Sequence, residues 1–164
     1  PPLAIGVGLH QGPAMVGTIG HPRRMEFAVL GDTVNLASRL EGSNRFFGTT
    51  ILVGDTVRAL ADGEFHFAPV ACVVVKGRSQ PVAVFTPIGP RRDPVPTWLE
   101  PYAAAVVALE AGRFAEAAAD FAALPAEDID QCVAADAKVI ACMQGARDVA
   151  GVEQCVPAKS SGGE

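Results

Sequence analysis

Two polar side chains, Asn35 and Arg39, stand four residues apart in a segment whose pattern predicts a helix. That spacing places both on one face of an α-helix, about one turn apart. An amide and a planar, permanently charged guanidinium suit an anionic ligand that also offers hydrogen-bonding groups. The same pair also fits an amphipathic helix whose polar face is only solvated, so the local pattern leaves both interpretations open.

The segment that carries this pair runs from Phe27 to Glu41 and predicts a strand, a tight turn and a helix. Gly31 suits the turn, and Asp32 is expected to be the N-cap of the helix. The helix offers an apolar side that we expect to pack on a sheet, formed by Val34, Leu36, Ala37 and Leu40. The Gly-Asp-Thr-Val sequence of residues 31–34 recurs at residues 54–57, so we interpret it as a strand-to-helix turn and Asp32 as a cap rather than a catalytic acid.

The surrounding sequence predicts short strands and one more helix. The first two strands, at residues 3–10 and 14–19, are expected to form a hairpin around Gln11-Gly12-Pro13. His10 ends the first of them and is interpreted as structural. The remaining expectations are a strand at 25–30, a loop at 42–49, a strand at 50–53, a helix from 54, and strands at 65–70, 72–75 and 82–86.

Composition narrows the class of protein. No apolar run approaches the roughly 20 residues of a membrane helix, and no signal peptide is visible, which predicts a cytoplasmic chain whose parent could still carry a membrane anchor. The start without Met predicts a fragment or a processed piece.

The four cysteines lack metal-ligand spacing and are expected to be reduced. Residues 1–90 have a net charge of +1 and residues 91–164 one of −6, which argues against nucleic-acid binding.

The amino-acid composition changes near residue 88, and this change predicts how the chain is divided into domains. Residues 1–88 are expected to form the first domain and the proline-rich stretch 89–97 a linker. The alanine-rich residues 98–146 predict helices at 98–111, 114–124 and 127–145, and the first two are similar to a tetratricopeptide unit. Residues 147–164 are predicted to be a disordered tail.

Four segments together resemble the class III nucleotidyl cyclases, the family of adenylate and guanylate cyclases. They read GLHQG at residues 8–12, GTIG at 17–20, GDTVNLASRLE at 31–41 and VKGR at 75–78, in the order of the family. The match is to the C-terminal half of the catalytic domain, as if truncated at its N-terminus. The resemblance implies an α+β fold with a mainly antiparallel, ferredoxin-like sheet and packed helices, which an all-α extension follows here.

The resemblance also implies a reaction and the residues that serve it. The family converts ATP or GTP into a 3′,5′-cyclic nucleotide and pyrophosphate for signal transduction, and we expect the adenylate cyclase reaction. Asn35 matches the residue that orients the ribose, Arg39 the one that stabilises the transition state, and Lys76 the one that contacts the terminal phosphates. Ala28 stands where the family often reads the purine, and because its methyl group forms no hydrogen bond, the choice between ATP and GTP stays open.

The implied cofactor is Mg²⁺ or Mn²⁺, which the family binds through aspartates upstream of the matched segments, so no residue of this chain is assigned to the metal. Family active sites form between two domains, so the implied partner is a second copy or another cyclase domain, and the isolated chain is expected to be inactive. Two alternatives remain: a non-catalytic regulatory or nucleotide-binding module with the cyclase fold, and an interaction module whose helical tail binds a protein.

Overall fold

The computed structural model describes residues 5–21, 24–74, 81–125, 148–149 and 152–154. None of the helices in this part of the chain is long and apolar enough to cross a membrane. The elements in chain order are β1 (Val7–Leu9), β2 (Met15–His21), β3 (Arg24–Leu30), α1 (Asp32–Phe47), β4 (Ile51–Gly54), α2 (Asp55–Ala61), β5 (Phe65–Val74), β6 (Val82–Pro90), α3 (Leu99–Glu110), α4 (Phe114–Ala122), β7 (Asp148–Val149) and β8 (Val152–Gln154).

The strands form a six-stranded sheet and a separate two-stranded ribbon. The order in the sheet is β1-β4-β6-β5-β8-β7, and the ribbon pairs β2 with β3. The pairing of β1 with β4 is parallel, and the other described pairs are antiparallel. The predicted α+β fold, a mainly antiparallel sheet with packed helices, is confirmed.

The predicted hairpin between the first two strands is wrong. β1 pairs with β4, with Leu9 opposite Val53, and α1 lies in the crossover that parallel pairing requires. β2 pairs instead with β3, with Met15 opposite Leu30. Residues 22 and 23 alone separate these two strands, and so short a connection favours an antiparallel hairpin.

One hydrophobic core joins α1, the sheet and the pair α3 and α4. Tyr102, which is fully buried, contacts Trp98 and Phe121 edge-on, with ring centroids 5.9 and 5.8 Å away. Because Tyr102 lies near the start of α3 and Phe121 near the end of α4, the two helices are antiparallel. The third predicted helix, at 127–145, lies outside the described residues, and the tetratricopeptide likeness and the division into domains stay predictions.

A buried histidine ties the sheet to the turn that leads into α3. His66, at the start of β5, is 4% exposed, and its Nε2 lies 2.9 Å from the carbonyl oxygen of Asp93. The guanidinium of Arg91 lies 3.3 Å from the other ring nitrogen. Since a guanidinium only donates, Nδ1 accepts from Arg91 and the proton sits on Nε2, which donates to Asp93.

Two strand predictions need correction. β5 runs unbroken through the predicted gap at 71, because the register shift between Pro69 and Ala71 accommodates a proline that cannot donate to the ladder. β6 continues past residue 86 to Pro90, since β5 pairs with it along that whole length. The predicted disorder of 147–164 stays a prediction; of that range the structure describes β7 and β8, which pair with each other, and β8 also pairs with the edge of β5.

Candidate active site

Helix α1, which carries Asn35 and Arg39, begins at a glycine turn. Gly31 is the N-cap residue and has a φ of +143°, a conformation that residues with a β-carbon rarely adopt. Asp32 is therefore the first residue inside the helix, and its side chain makes no capping hydrogen bond. The predicted N-cap role of Asp32 is wrong, although a carboxylate in the first turn still interacts favourably with the helix dipole.

The repeated Gly-Asp-Thr-Val sequence holds one loop from two sides. The hydroxyl of Thr33 donates to the carbonyl oxygen of Pro13 at 2.6 Å, and the hydroxyl of Thr56 donates to that of Gln11 at 3.2 Å. The loop after β1 is thus fixed between the first turns of α1 and α2. The repeat is visible in the sequence and predicted turns and helix caps. The threonine in each copy is the residue that could have predicted the shared contact with the loop.

Parallel pairing explains why both copies reach the same loop. The carboxyl ends of parallel strands lie at one edge of a sheet, and Leu9 is opposite Val53 there. The ring of His10 consequently packs against Gly54, where a β-carbon would collide with ring atom Nδ1. This contact supports the structural interpretation of His10.

The helix lies against the backbone of β1. A β-carbon at Gly8 would collide with the carbonyl oxygen of Ala37 and the backbone nitrogen of Glu41. The bare face of β1 therefore serves close contact with α1, which fixes the depth at which the helix sits.

Asn44 fixes the other end of the helix. Its amide nitrogen donates to the carbonyl oxygens of Val7 and Glu41, each at 3.0 Å, and its Oδ1 accepts from the Thr49 hydroxyl at 2.8 Å. The side chain is 3% exposed. The predicted loop at 42–49 is wrong, because α1 continues to Phe47 and ends at Gly48, with a φ of +64°. Burial of Asn44 and Phe47 offsets the low helix propensity of Gly42.

The polar groups of Asn35 and Arg39 are not used by the described part of the fold, which is also true of the other exposed polar side chains of the helix: Asp32, Ser38, Glu41 and Arg45. Asn35 is exposed and Arg39 is half-buried. Within the described part of the chain, neither side chain makes a hydrogen bond or an ion pair, although the backbone oxygen of Arg39 accepts from Ser43 at 2.7 Å. An anchored helix therefore carries an amide and a guanidinium, one turn apart, that no described polar group engages.

The structure says less about the other two predicted site residues, Ala28 and Lys76. Ala28 lies in β3, opposite Gly17 and partly buried, three residues before the turn at Gly31. Lys76 lies outside the described residues. The structure thus places Asn35 and Arg39 on one helix and leaves the proposed contact of Lys76 untested.

Metal ligands do not come together in the described ranges. No group there contains three His, Cys, Asp or Glu side chains that could hold a metal ion. Asp32 is exposed at the start of α1, and Asp55 accepts a hydrogen bond of 2.8 Å from the backbone N–H of Thr56. The described residues therefore do not fit a divalent metal site by themselves, and no catalytic step is assigned to such a site.

The described chain is thus an α+β protein in which an anchored helix carries an exposed amide and a half-buried guanidinium, one turn apart. A sequence model of the adenylate and guanylate cyclase catalytic domain matches residues 1–87, about half of the chain. The chain belongs to that family.

Individual relatives match the same part of the chain. Adenylate cyclase 1 of Rhizobium meliloti is 39% identical over 82 residues, which are 50% of this chain and 12% of that protein. Adenylate cyclase of Anabaena cylindrica is 34% identical over 88 residues, 52% of this chain and 18% of its own length. Guanylate cyclase 2G of Mus musculus is 34% identical over 80 residues, 48% of this chain and 7% of that protein. The chain thus spans less than a fifth of each of these relatives.

Solved cyclase structures are similar over about half of the chain. The adenylyl cyclase CyaB from P. aeruginosa is 31% identical with a TM-score of 0.44, covering 54% of this chain and 44% of that one. The guanylyl cyclase Cya2 is 29% identical with a TM-score of 0.41, covering 53% and 43%.

Proposed function

We propose that this chain supplies the transition-state side of an adenylate cyclase site, completed by a second cyclase domain. The reaction is the conversion of ATP into 3′,5′-cyclic AMP and pyrophosphate. The observation that carries the proposal is the pair Asn35 and Arg39, which no described protein group engages, on a helix that Gly8, Thr33 and Asn44 hold in place.

Each residue of the pair has a chemical task in this reaction. A bond forms between the ribose 3′ oxygen and the α-phosphorus while the bond to the pyrophosphate oxygen breaks. Arg39 offers a charged fork to the oxygens of the α-phosphate, where negative charge changes most. Asn35 orients the ribose, so the attacking oxygen lies in line with the leaving group.

The rest of the site is assigned by resemblance. Lys76 binds the terminal phosphates as a point charge, and carboxylates of the partner domain bind the Mg²⁺ or Mn²⁺ that stabilises the charge on the nucleotide. The methyl group of Ala28 makes no hydrogen bond to the base, so any selection of the base at this position is weak or is made by the backbone. ATP is proposed because the relatives from Rhizobium meliloti and Anabaena cylindrica are adenylate cyclases.

The ribbon of β2 and β3 supports the need for a partner. In an antiparallel pair of strands, residues directly opposite each other lie on the same face. One face of this ribbon carries four exposed apolar residues, and we call it the apolar ribbon face: Val16, Met25, Phe27 and Val29. Phe27 is 73% exposed and Val16 is 62% exposed. Contiguous apolar surface of this kind marks interaction sites, and we assign it to the second cyclase domain.

Complementation tests the proposed function. The chain is mixed with a class III cyclase domain that keeps its metal-binding aspartates but has its own counterparts of Asn35 and Arg39 replaced by alanine. In the presence of Mg²⁺ or Mn²⁺, we expect the mixture to form cyclic AMP from ATP at a high rate. Neither component is expected to do so alone. A parallel reaction with GTP measures the choice of nucleotide.

The matched control lies on the same helix. Arg39→Ala is expected to lower the rate of the mixture about 10²- to 10³-fold, the usual loss when one charge-stabilising donor is removed. Arg45→Ala removes an equally charged but exposed side chain six residues further on and is expected to leave the rate unchanged. Equal rates for the two variants would contradict the assignment of Arg39.

A further inference from the structure

A cleft of about 330 Å³ opens between the start of α3 and the end of α4. Trp98 and Leu124, which are 6% and 8% exposed, form part of its lining. Pro101, Ala104 and Ala123 line it with exposed apolar atoms, and Asp120 contributes a carboxylate. The cleft lies beyond residues 1–87, so it is separate from the cyclase match.

Two features make the cleft electrically negative. Asp120 makes no hydrogen bond or ion pair through its carboxylate within the described ranges. It also stands in the last turn of α4, which contains no basic residue, where the helix dipole places further negative charge. A carboxylate is unfavourable at that position, and a bound cation would relieve the repulsion.

The surrounding surface has the same sign. Residues 97–125 contain four carboxylates and one arginine. That arginine, Arg113, already pairs with Glu116 at 2.6 Å. The described residues of this helical pair therefore leave Asp120 without a basic neighbour.

We propose that the cleft binds a small organic cation with an apolar body, such as an aryl- or alkylammonium. The apolar part contacts Trp98, Leu124 and Ala104, while the ammonium group pairs with Asp120 and faces the end of α4. A mostly apolar pocket with one or two convergent polar groups is typical of small-molecule sites, and 330 Å³ is near the lower end of their usual volume.

The test uses Trp98, the single tryptophan of the chain, as a reporter inside the cleft. The full chain is titrated with millimolar phenethylamine while tryptophan emission is recorded, and in parallel with 2-phenylethanol and 3-phenylpropionate. We expect the amine to change the tryptophan emission in a saturable way, the alcohol to bind about fivefold more weakly, and the anion not to bind. A fivefold difference is what one partly exposed ion pair between the ammonium group and Asp120 would contribute. Added salt is expected to weaken binding of the amine only.

Variants locate the site. Asp120→Asn is expected to weaken amine binding about fivefold and to leave binding of the alcohol unchanged. Ala104→Leu fills the cleft from an exposed position and is expected to abolish the response, whereas Ala115→Leu, exposed on the outer side of α4, retains it. Circular dichroism melting curves check that each variant folds.

Three outcomes would overturn the proposal. Equal affinity of the wild type and Asp120→Asn for the amine would remove the role of the carboxylate. Retained binding in Ala104→Leu would place the ligand elsewhere. The absence of any saturable response in the full chain would show that no such ligand binds there.

Discussion

Two asparagines of α1 show how one residue type serves two purposes. Asn44 is buried and satisfies backbone carbonyls on β1 and on its own helix. Asn35 is exposed, and its amide makes no contact with the described polar groups. The sequence predicts Asn35 on a helix and Asn44 in a loop, whereas both lie on α1, and the packing of β1 against one end of that helix is what buries Asn44.

Alanine at each position is expected to give opposite results. Asn44→Ala removes the partner of the Val7 carbonyl and of the Thr49 hydroxyl, so we expect a loss of about 2–3 kcal/mol in the free energy of unfolding. Asn35→Ala is expected to change that free energy by less than about 0.5 kcal/mol, since its side chain is exposed. Urea denaturation measures both.

For the activity of the complemented site, we expect the opposite order of effects from that for stability. Asn35→Ala is expected to lower the rate about 10²-fold because the ribose is no longer oriented. Ser38→Ala, another exposed change on the same helix, provides the control and should retain the rate. A large loss of stability in Asn35→Ala would instead indicate a structural role.

At the scale of elements, the contact between β1 and α1 positions the candidate site. Gly8 allows the helix backbone to touch the strand backbone, and the threonines of the repeated motif hold the adjoining loop. The contact at Gly8 joins backbone atoms, so no side chain can move aside to relieve it. The position of Asn35 and Arg39 therefore depends on backbone packing.

Two glycine substitutions test this contact. Gly8→Ala is expected to cost about 3 kcal/mol or more, since its β-carbon meets backbone atoms of Ala37 and Glu41. Gly42→Ala lies inside α1 with open space around it and is expected to stabilise the fold by about 0.5–1 kcal/mol. Thermal melting compares the two, and a similar melting temperature for both would contradict the proposed packing.

Local features of these elements were predictable from the sequence. The helical spacing of Asn35 and Arg39 and the glycine turn at Gly31 depend on residues close in the chain, and both are present in the structure. The pairing of β1 with β4 depends on residues more than forty positions apart, which the local pattern at Gln11-Gly12-Pro13 does not contain. The end of α1 was missed because Asn44 and Phe47 stabilise it by tertiary burial.

At the scale of the whole molecule, the ribbon of β2 and β3 stands apart from the six-stranded sheet. Its two strands pair with each other, and most of its large apolar side chains are exposed, among them Met15 at 73% and Phe27 at 73%. The chain also has an edge strand, β1, whose second side has no partner among the described strands. These surfaces predict self-association of the isolated chain.

Polar substitutions on the apolar ribbon face are expected to reduce that association without changing the fold. The double variant Val16→Ser and Phe27→Ser removes two exposed side chains, so the melting temperature should change little while light scattering shows a smaller particle. Leu60→Ser, at a residue of α2 that is 70% exposed, is the control and should leave the particle size unchanged. A monodisperse monomer of the unmodified chain would contradict the prediction.

The separation of the ribbon from the sheet has a consequence for divergence among related chains. Substitutions on β2 and β3 meet little opposition from folding, because few of their side chains are buried. The surface that we propose to bind the second domain is therefore free to change while the anchored helix keeps Asn35 and Arg39. Gene duplicates could in this way acquire separate partners within one cell and retain the proposed reaction.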